Sequence, residues 1–317
     1  MAVRAGEAAG SLGAEAATTP SLWSRMSERI GPGYLFLTPW LIGLFGLTLG
    51  PIIYSFYLSF TQFDLLTSPE WVGLDNYQRI LTADPKFMAS MRVTFLFVLF
   101  SVPLKLAFAL AVAMLLNKGI SALPMYRAIF YLPSLLGASV AIAILWRTIF
   151  SADGLINQLL WTAFGISGPS WISNPNYALW TLVVLSIWQF GSPMIIFLAG
   201  LRQIPQDMYE AASLDGASQW RQFWKITLPL LTPVVFFNVI IQTIEAFKSF
   251  TPAFIISGGQ GGPINSTLFY TLYLYQEAFG FFRMGYASAL AWILLAIISA
   301  FTAISFLSSR YWVHYDD

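Results

Sequence analysis

Six stretches of the chain are apolar for long enough to cross a bilayer, at residues 34–60, 93–116, 128–146, 177–201, 228–256 and 286–307, with polar segments between them. A hydrocarbon core of about 30 Å takes about 20 residues of helix at a rise of about 1.5 Å each. Lipid offers the backbone no hydrogen bonds, so an apolar stretch of that length must satisfy its own, and a helix does so. The pattern predicts an all-α, polytopic membrane protein with six transmembrane helices. Gly50-Pro51 falls in the first stretch, and Pro103, Pro193, Pro233 and Pro252 fall in later ones, so these spans are expected to be interrupted or bent.

Composition strengthens this reading. Of 317 residues, 57% are hydrophobic, 17% aromatic and only 10% charged, whereas soluble domains run at about 45–50% apolar and about 25% charged. The mean hydropathy is +0.67. Cysteine is absent, which removes disulfides, thiol nucleophiles and zinc–thiolate sites together, and the single histidine, His314, leaves no histidine triad or multi-histidine metal site. No metal site is therefore expected; an enzyme built on carboxylates alone would want two acids converging at one depth, and only Glu245 lies within a span, so no catalytic residue is expected either. A net charge of +1 gives no footprint for nucleic acid.

Cytoplasmic loops retain Lys and Arg, and this sets orientation. With the N-terminus inside, the cytoplasmic side collects Arg4, Arg25, Arg29, Lys118, Arg127, Arg202, Arg221, Lys225 and Arg310. The opposite side holds fewer: Arg79, Lys86 and Arg283 in loops, with Arg92 and Arg147 at span ends. Both termini are predicted to be cytoplasmic. Residues 1–33 are rich in Ala, Gly, Ser and Glu with no apolar core, and read as a disordered cytoplasmic tail rather than a signal peptide. Residues 34–317 read as one membrane domain.

The loop at 203–229, between the fourth and fifth spans, is predicted to hold a short capped helix. Pro205 can open its first turn, Asp207 and Glu210 complement the dipole at its N-terminus, and Gly216 can take the left-handed closing position. Trp220 to Ile226 then mixes Trp, Phe, Arg and Lys as an interfacial helix does. Such a helix, held off the membrane between two spans, is a lever with one exposed face.

Within this loop Glu210-Ala211-Ala212, then Gly216, Ile226 and Leu228-Pro229 resemble the full EAA-loop pattern of ABC importer permeases. Seven fixed positions match by chance at about 10⁻⁸ per window at average residue usage. The resemblance implies the type I ABC importer permease fold. It also implies that the loop is a coupling helix docked on a separate cytoplasmic ATPase, with Glu210, Ala211, Ala212, Asp215, Gly216, Ile226, Leu228 and Pro229 as its coupling residues. The chain has no G-x-x-x-x-G-K-[ST] loop, so it is expected to bind no cofactor itself, and ATP with magnesium would belong to the partner.

Flanking stretches are similar to the carbohydrate permeases of the maltose and glycerol-phosphate type. They are Gly50-Pro51-Ile52-Ile53-Tyr54-Ser55 with Leu58-Ser59-Phe60, Trp71-Val72-Gly73-Leu74-Asp75-Asn76-Tyr77, and Phe130-Tyr131-Leu132-Pro133. The Gly258-to-Pro263 loop and Met284-Gly285-Tyr286-Ala287-Ser288-Ala289 belong with them, although the Gly-rich loop is about two residues longer than the usual Gly-Gly-Gly-Pro form. By this resemblance the chain is a permease subunit of a binding-protein-dependent sugar importer in a bacterial cytoplasmic membrane. Its partners would be a second homologous permease, an ABC ATPase dimer and an extracytoplasmic solute-binding protein.

Charges inside the apolar stretches mark candidate solute contacts. Gln242, Glu245 and Lys248 repeat at a spacing of three and share one helical stripe, with Ser249 and Phe247 beside them, and Glu245 can pair with Lys248. Such a stripe offers a sugar both planar polar groups and an aromatic face. Gln189, with Trp180 and Trp188, is a further candidate. Lys105 lies roughly 17 Å deep by residue count, beyond snorkelling reach, so it either pairs within the protein or meets the solute. Two alternatives stand beside the sugar reading: an ABC permease for a polyamine or phosphate ester, and an ion-coupled secondary carrier relaying through Glu245 and Lys105.

Overall fold

The computed structural model describes residues 36–118, 122–137 and 139–314. The predicted N-terminal tail, 1–33, lies outside them. The chain divides into two compact units, Met1–Tyr54 and Ser55–Asp317. In the first, the described residues are helical, with a π-helical turn at Gly43–Leu49 and outward-facing Phe36, Trp40, Ile42 and Leu47.

Helix α1 spans Phe36–Leu58, and its last turns lead into the second unit. There a short antiparallel pair follows, β1 at Thr61–Gln62 and β2 at Glu70–Trp71, and then α2 at Asp75–Ala83. Helix α3, Pro85–Leu116, begins where Asp84 caps the Lys86 and Phe87 amides at 2.9 and 3.1 Å, with Pro85 fixing the first turn. Next come α4 (Leu123–Leu136), α5 (Val140–Ile149), α6 (Leu155–Phe164), α7 (Pro175–Trp188) and α8 (Gly191–Leu201). Helix α9, Gln206–Leu214, fills the predicted coupling loop. From α10 at Gln219–Gln222 the chain runs through a π-helical turn, Phe223–Thr227, straight into α11 at Leu228–Phe247 and on to α12 at Thr251–Ile256. Helix α13 (Tyr270–Tyr275) and the long α14 (Met284–Trp312) complete the unit.

Four stretches are long and apolar enough to span: Phe36–Leu58, Pro85–Leu116, Gln219–Ile256 and Met284–Trp312. Two more spans are broken helix pairs, α4 with α5 and α7 with α8, the latter bent by 43°. The stretches at 128–146 and 177–201 are therefore apolar throughout yet not straight helices. The physical reason lies at the second break, where Ser134 Oγ donates to the Gln189 carbonyl at 2.9 Å and accepts from the Ser192 amide at 2.9 Å. A hydroxyl from a neighbouring helix thus replaces the intrahelical partners lost at the bend. The interfacial segment 220–226 is likewise continuous with α11 rather than a separate helix.

Helix α3 is the centre of the bundle, packed on α7, α8 and α11. Ala109 and Ala113 on it are fully buried, small residues that let neighbouring backbones approach. The core continues through Leu182, Phe197, Leu198, Leu231 and Tyr270. Many large side chains on the outside are apolar, Phe95, Leu99, Leu104 and Ile304 among them. In water that surface would drive aggregation; in lipid it is the solvent-facing side.

Candidate translocation and coupling sites

A cavity of about 640 Å³ opens between α3, α4, α7, α8, α11 and the start of α12. Gln242, Glu245, Lys248 and Ser249 all line it, as does Gln189, so the structure brings the five sequence candidates to one place. Glu245 and Lys248 pair at 3.2 Å with their side chains more than half exposed, which here means open to the cavity. Gln189 is also structural, since its amide donates to the Gly137 carbonyl at 3.1 Å. Phe247 is not part of the lining: two residues beyond Glu245 it is turned about 200° round the helix and is buried in the core. Phe97, Phe237 and Phe250 supply aromatic faces in its stead. Trp180 and Trp188 stay outside the cavity, against Phe100 and Trp146. Lys105 lines it, as do Ser134, Ser186 and Ser192, three serines that gave no signal in a single sequence.

At the second candidate site, α9 is an exposed helix. Pro205 in an extended conformation precedes it, Asp207 sits in its first turn, and Gly216 at φ +74° closes it with the Ala217 amide bonded back to the Ala212 carbonyl at 2.9 Å. Any residue with a Cβ is strained at that φ. Glu210, Ala211, Asp215 and Gly216 are exposed, and Ala212 is half-buried. Two struts join the lever to the next span. Tyr209 Oη and Thr227 Oγ1 lie 2.9 Å apart, and Gln222 Nε2 donates to Ser213 Oγ at 2.9 Å and the Ala217 carbonyl at 3.2 Å. Ile226, Leu228 and Pro229 are half-buried, with Ile226 against the core and Pro229 in the first turn of α11. The loop pattern thus divides into an outward face, Glu210 to Gly216, and a root set into the bundle.

The flanking motifs meet in a third place. Phe60 stacks on Trp71 at 5.5 Å, Asn76 Nδ2 donates to the Ser59 and Thr61 carbonyls at 3.0 and 2.9 Å, and Tyr77 Oη donates to Ser59 Oγ at 2.7 Å. Gly285 lies so close to the Thr61 backbone that a Cβ would stand 2.0 Å from its carbonyl oxygen. Asp84 binds this corner together by accepting from Tyr273 Oη and, at 2.5 Å, from Tyr286 Oη. Burial opposes the charge on Asp84, but the two tyrosine hydroxyls and the helix amides outweigh it and hold the carboxyl below its ordinary value. The Tyr273 hydroxyl is pushed up by burial and by the carboxylate it serves. Asp84 and the buried Glu277, paired with Arg283 at 3.1 Å, were not picked out by sequence.

A bundle of helices long and apolar enough to span, around a polar cavity and with a short exposed helix between the fourth and fifth spans, has the build of a membrane permease. The family of binding-protein-dependent transport system inner membrane components matches residues 87–313, and the chain belongs to it. It is a transporter subunit of the inner membrane rather than an enzyme. The chain is 54% identical to the probable ABC transporter permease protein YesP of Bacillus subtilis, over 90% of this chain and 92% of that one. It is 31% identical to the lactose transport system permease protein LacF of Rhizobium radiobacter, over 88% and 94%. Identity to the trehalose/maltose transport system permease protein MalF of Thermococcus litoralis is 32%, over 88% and 94%. In the crystal structure of a bacterial alginate ABC transporter in complex with its alginate pentasaccharide-bound periplasmic protein, one chain shares the fold at a TM-score of 0.78 and 20% identity, covering 91% of this chain and 97% of that one.

Proposed function

We propose that this permease imports a saccharide, and that the exposed face of α9 couples it to an ATPase. The observation that carries the reading is the division of the 203–229 loop into an outward face at Glu210 to Gly216 and a root at Ile226 to Pro229. A rigid element with one free face and one anchored end transmits force. The relatives named for lactose and trehalose/maltose transport support the saccharide, as does a cavity lined by amides, hydroxyls and aromatic rings.

On this reading a second, similar permease completes the pathway, and a soluble binding protein delivers the sugar. Two ATPase subunits, which hold ATP and magnesium, seat α9 on the cytoplasmic side, where both termini also lie. Closure of the ATPases pulls α9, and the struts from Tyr209 and Gln222 pass the motion into α11, whose Gln242 and Glu245 line the cavity. Alternating access follows from rocking of the spans about that midplane site. The test is a Glu210→Lys, Gly216→Val double variant in the assembled importer. It should insert normally, hydrolyse ATP at the basal rate, and lose sugar-stimulated hydrolysis and uptake; unchanged uptake would refute the coupling role.

A further inference from the structure

The two broken spans meet at their breaks. Helix α4 ends at Leu136 and α7 at Trp188, and each is the first half of a bent pair, continued by α5 and α8. An interrupted helix leaves carbonyls and amides without intrahelical partners, and in lipid they must find others. Here each break supplies the other. Ser134 Oγ serves the Gln189 carbonyl and the Ser192 amide, both at 2.9 Å, and Gln189 Nε2 in turn donates to the Gly137 carbonyl at 3.1 Å. Glycine permits the approach, since a Cβ on Gly137 would stand 2.2 Å from Gln189 Cγ.

Three residues of this junction, Ser134, Gln189 and Ser192, also line the cavity. The junction is at the same time one end of α8. That helix, 11 residues long and so about 15 Å from end to end, leads through residues 202–205 to α9. Its far end is held in the core by Leu198 and Leu201 and packs on α11. Helix α8 is therefore a rod that starts at a cavity-lining junction and ends at the α9 loop.

A solute shifts a conformational equilibrium only by binding the two arrangements differently. The Gln189 amide supplies such a difference. It offers two N–H donors and an acceptor oxygen, the groups that replace water on a sugar hydroxyl. The amide turns as one planar unit, so turning it toward a solute takes Nε2 off Gly137. The net worth of one neutral hydrogen bond corresponds to about two- to tenfold in an equilibrium, within reach of a single solute contact.

We propose that Gln189 is a positioning residue for transport: solute in the cavity takes the Gln189 amide from Gly137, the junction of the two broken spans loosens, and α8 carries the change to α9. Hydrolysis in the partner ATPase then answers to an occupied cavity. The inference rests on the coupling and saccharide reading above and deepens it, by naming the residue at which occupancy is sensed.

The assembled importer in proteoliposomes, with its second permease, ATPase and binding protein, tests this through ATP hydrolysis measured without solute and with maltose- or lactose-loaded binding protein. A junction opened by mutation should stand in for solute. Gln189→Ala, and Gly137→Ala, which pushes an intact Gln189 away, should each raise solute-free hydrolysis at least about threefold over wild type. Their responses to sugar should then diverge. Gly137→Ala leaves the amide available to solute, so its half-saturating concentration of loaded binding protein should fall about two- to tenfold, because solute no longer has to open the junction. Gln189→Ala loses the contact, and its half-saturating concentration should rise; loss of packing alone would move both variants the same way. A cysteine at Ala212 crosslinked to the ATPase reports assembly. Ser134→Ala, which opens the same junction and should likewise speed solute-free hydrolysis, stands in for Gly137→Ala if that variant fails to assemble. Solute-free rates equal to wild type, with sugar still stimulating wild type, would overturn the inference and leave the saccharide reading standing. So would half-saturating concentrations that shift in the same direction. Fast solute-free hydrolysis in the variants, with wild type stimulated by neither sugar, would support the junction's role and count against the saccharide reading.

Discussion

Replacing Asp84 by Ala cuts the fold at the point where three separate segments meet. The carboxylate caps two amides of α3 and accepts hydroxyls from Tyr273 and Tyr286, 189 and 202 residues away in sequence. Loss of an N-cap costs about 1 kcal/mol, and hydrogen bonds to a charged group about 1.5–3 kcal/mol each, which gives about 4–7 kcal/mol if all were buried and independent. Asp84 is only half-buried, so water recovers part of this, and the bonds share one acceptor, so the low end applies, about 3–4 kcal/mol. At about 2–4 °C per kcal/mol for a chain of this order of size, the apparent Tm in nanodiscs should fall by roughly 6–15 °C. A double-mutant cycle sharpens the assay: in a Tyr286→Phe background the same Ala substitution should cost about 1.5–2 kcal/mol less, because one bond is already gone. The sign with pH follows from a carboxyl whose pKa is lowered on folding. Its stabilisation is full above the unfolded value, about 4, and is lost as the pH falls through the lower folded value. The difference between wild type and variant should therefore hold constant from about pH 5 to 8 and narrow below about pH 4. A Tm change under about 1 °C, or an equal cost in both backgrounds, would refute the role given to Asp84.

Gly285→Ala forces a Cβ to within 2.0 Å of the Thr61 carbonyl, so α14 must move from the β1 corner, at a cost of about 1–3 kcal/mol; thermal unfolding should show a drop of several degrees, and an unchanged Tm would contradict the close approach. Ser134→Ala leaves the Ser192 amide and Gln189 carbonyl at the broken fourth span without their partner. It should cost about 1–3 kcal/mol and raise amide exchange at Ser192, whereas exchange as slow as in wild type would show that the bend is held by something else.

The spans were legible because lipid converts length and apolarity directly into helix, and the lever helix because its Pro205, Asp207 and Gly216 each act within a few residues of where they stand. What the sequence hid was set by long separation. The bend between α7 and α8 depends on Ser134, 55 residues before Gln189, so an apolar run such as 177–201 reads as one straight helix. Asp84 gave no signal in the sequence, because its tyrosine partners stand 189 and 202 residues away and cannot be found by spacing. The stripe of Gln242, Glu245 and Lys248 was correct in phase, and Phe247 was given to it although it sits on the far side of the helix. Lys105 was placed by depth, but the cavity it meets is assembled from six helices far apart in sequence. The flanking motifs were recognised as marks of kinship; their physical role, close packing around Asp84, Asn76 and Gly285, emerges only in three dimensions.

The central claim is that α9 transmits the work of an ATPase to this permease. The chain has no cysteine of its own, so a single Ala212→Cys substitution reports on α9 alone. Co-expressed with an ABC ATPase carrying one cysteine in its docking groove and assembled in membranes, it should form a disulfide whose yield changes when ATP binds. No crosslink in a correctly assembled complex, with or without ATP, would contradict the account.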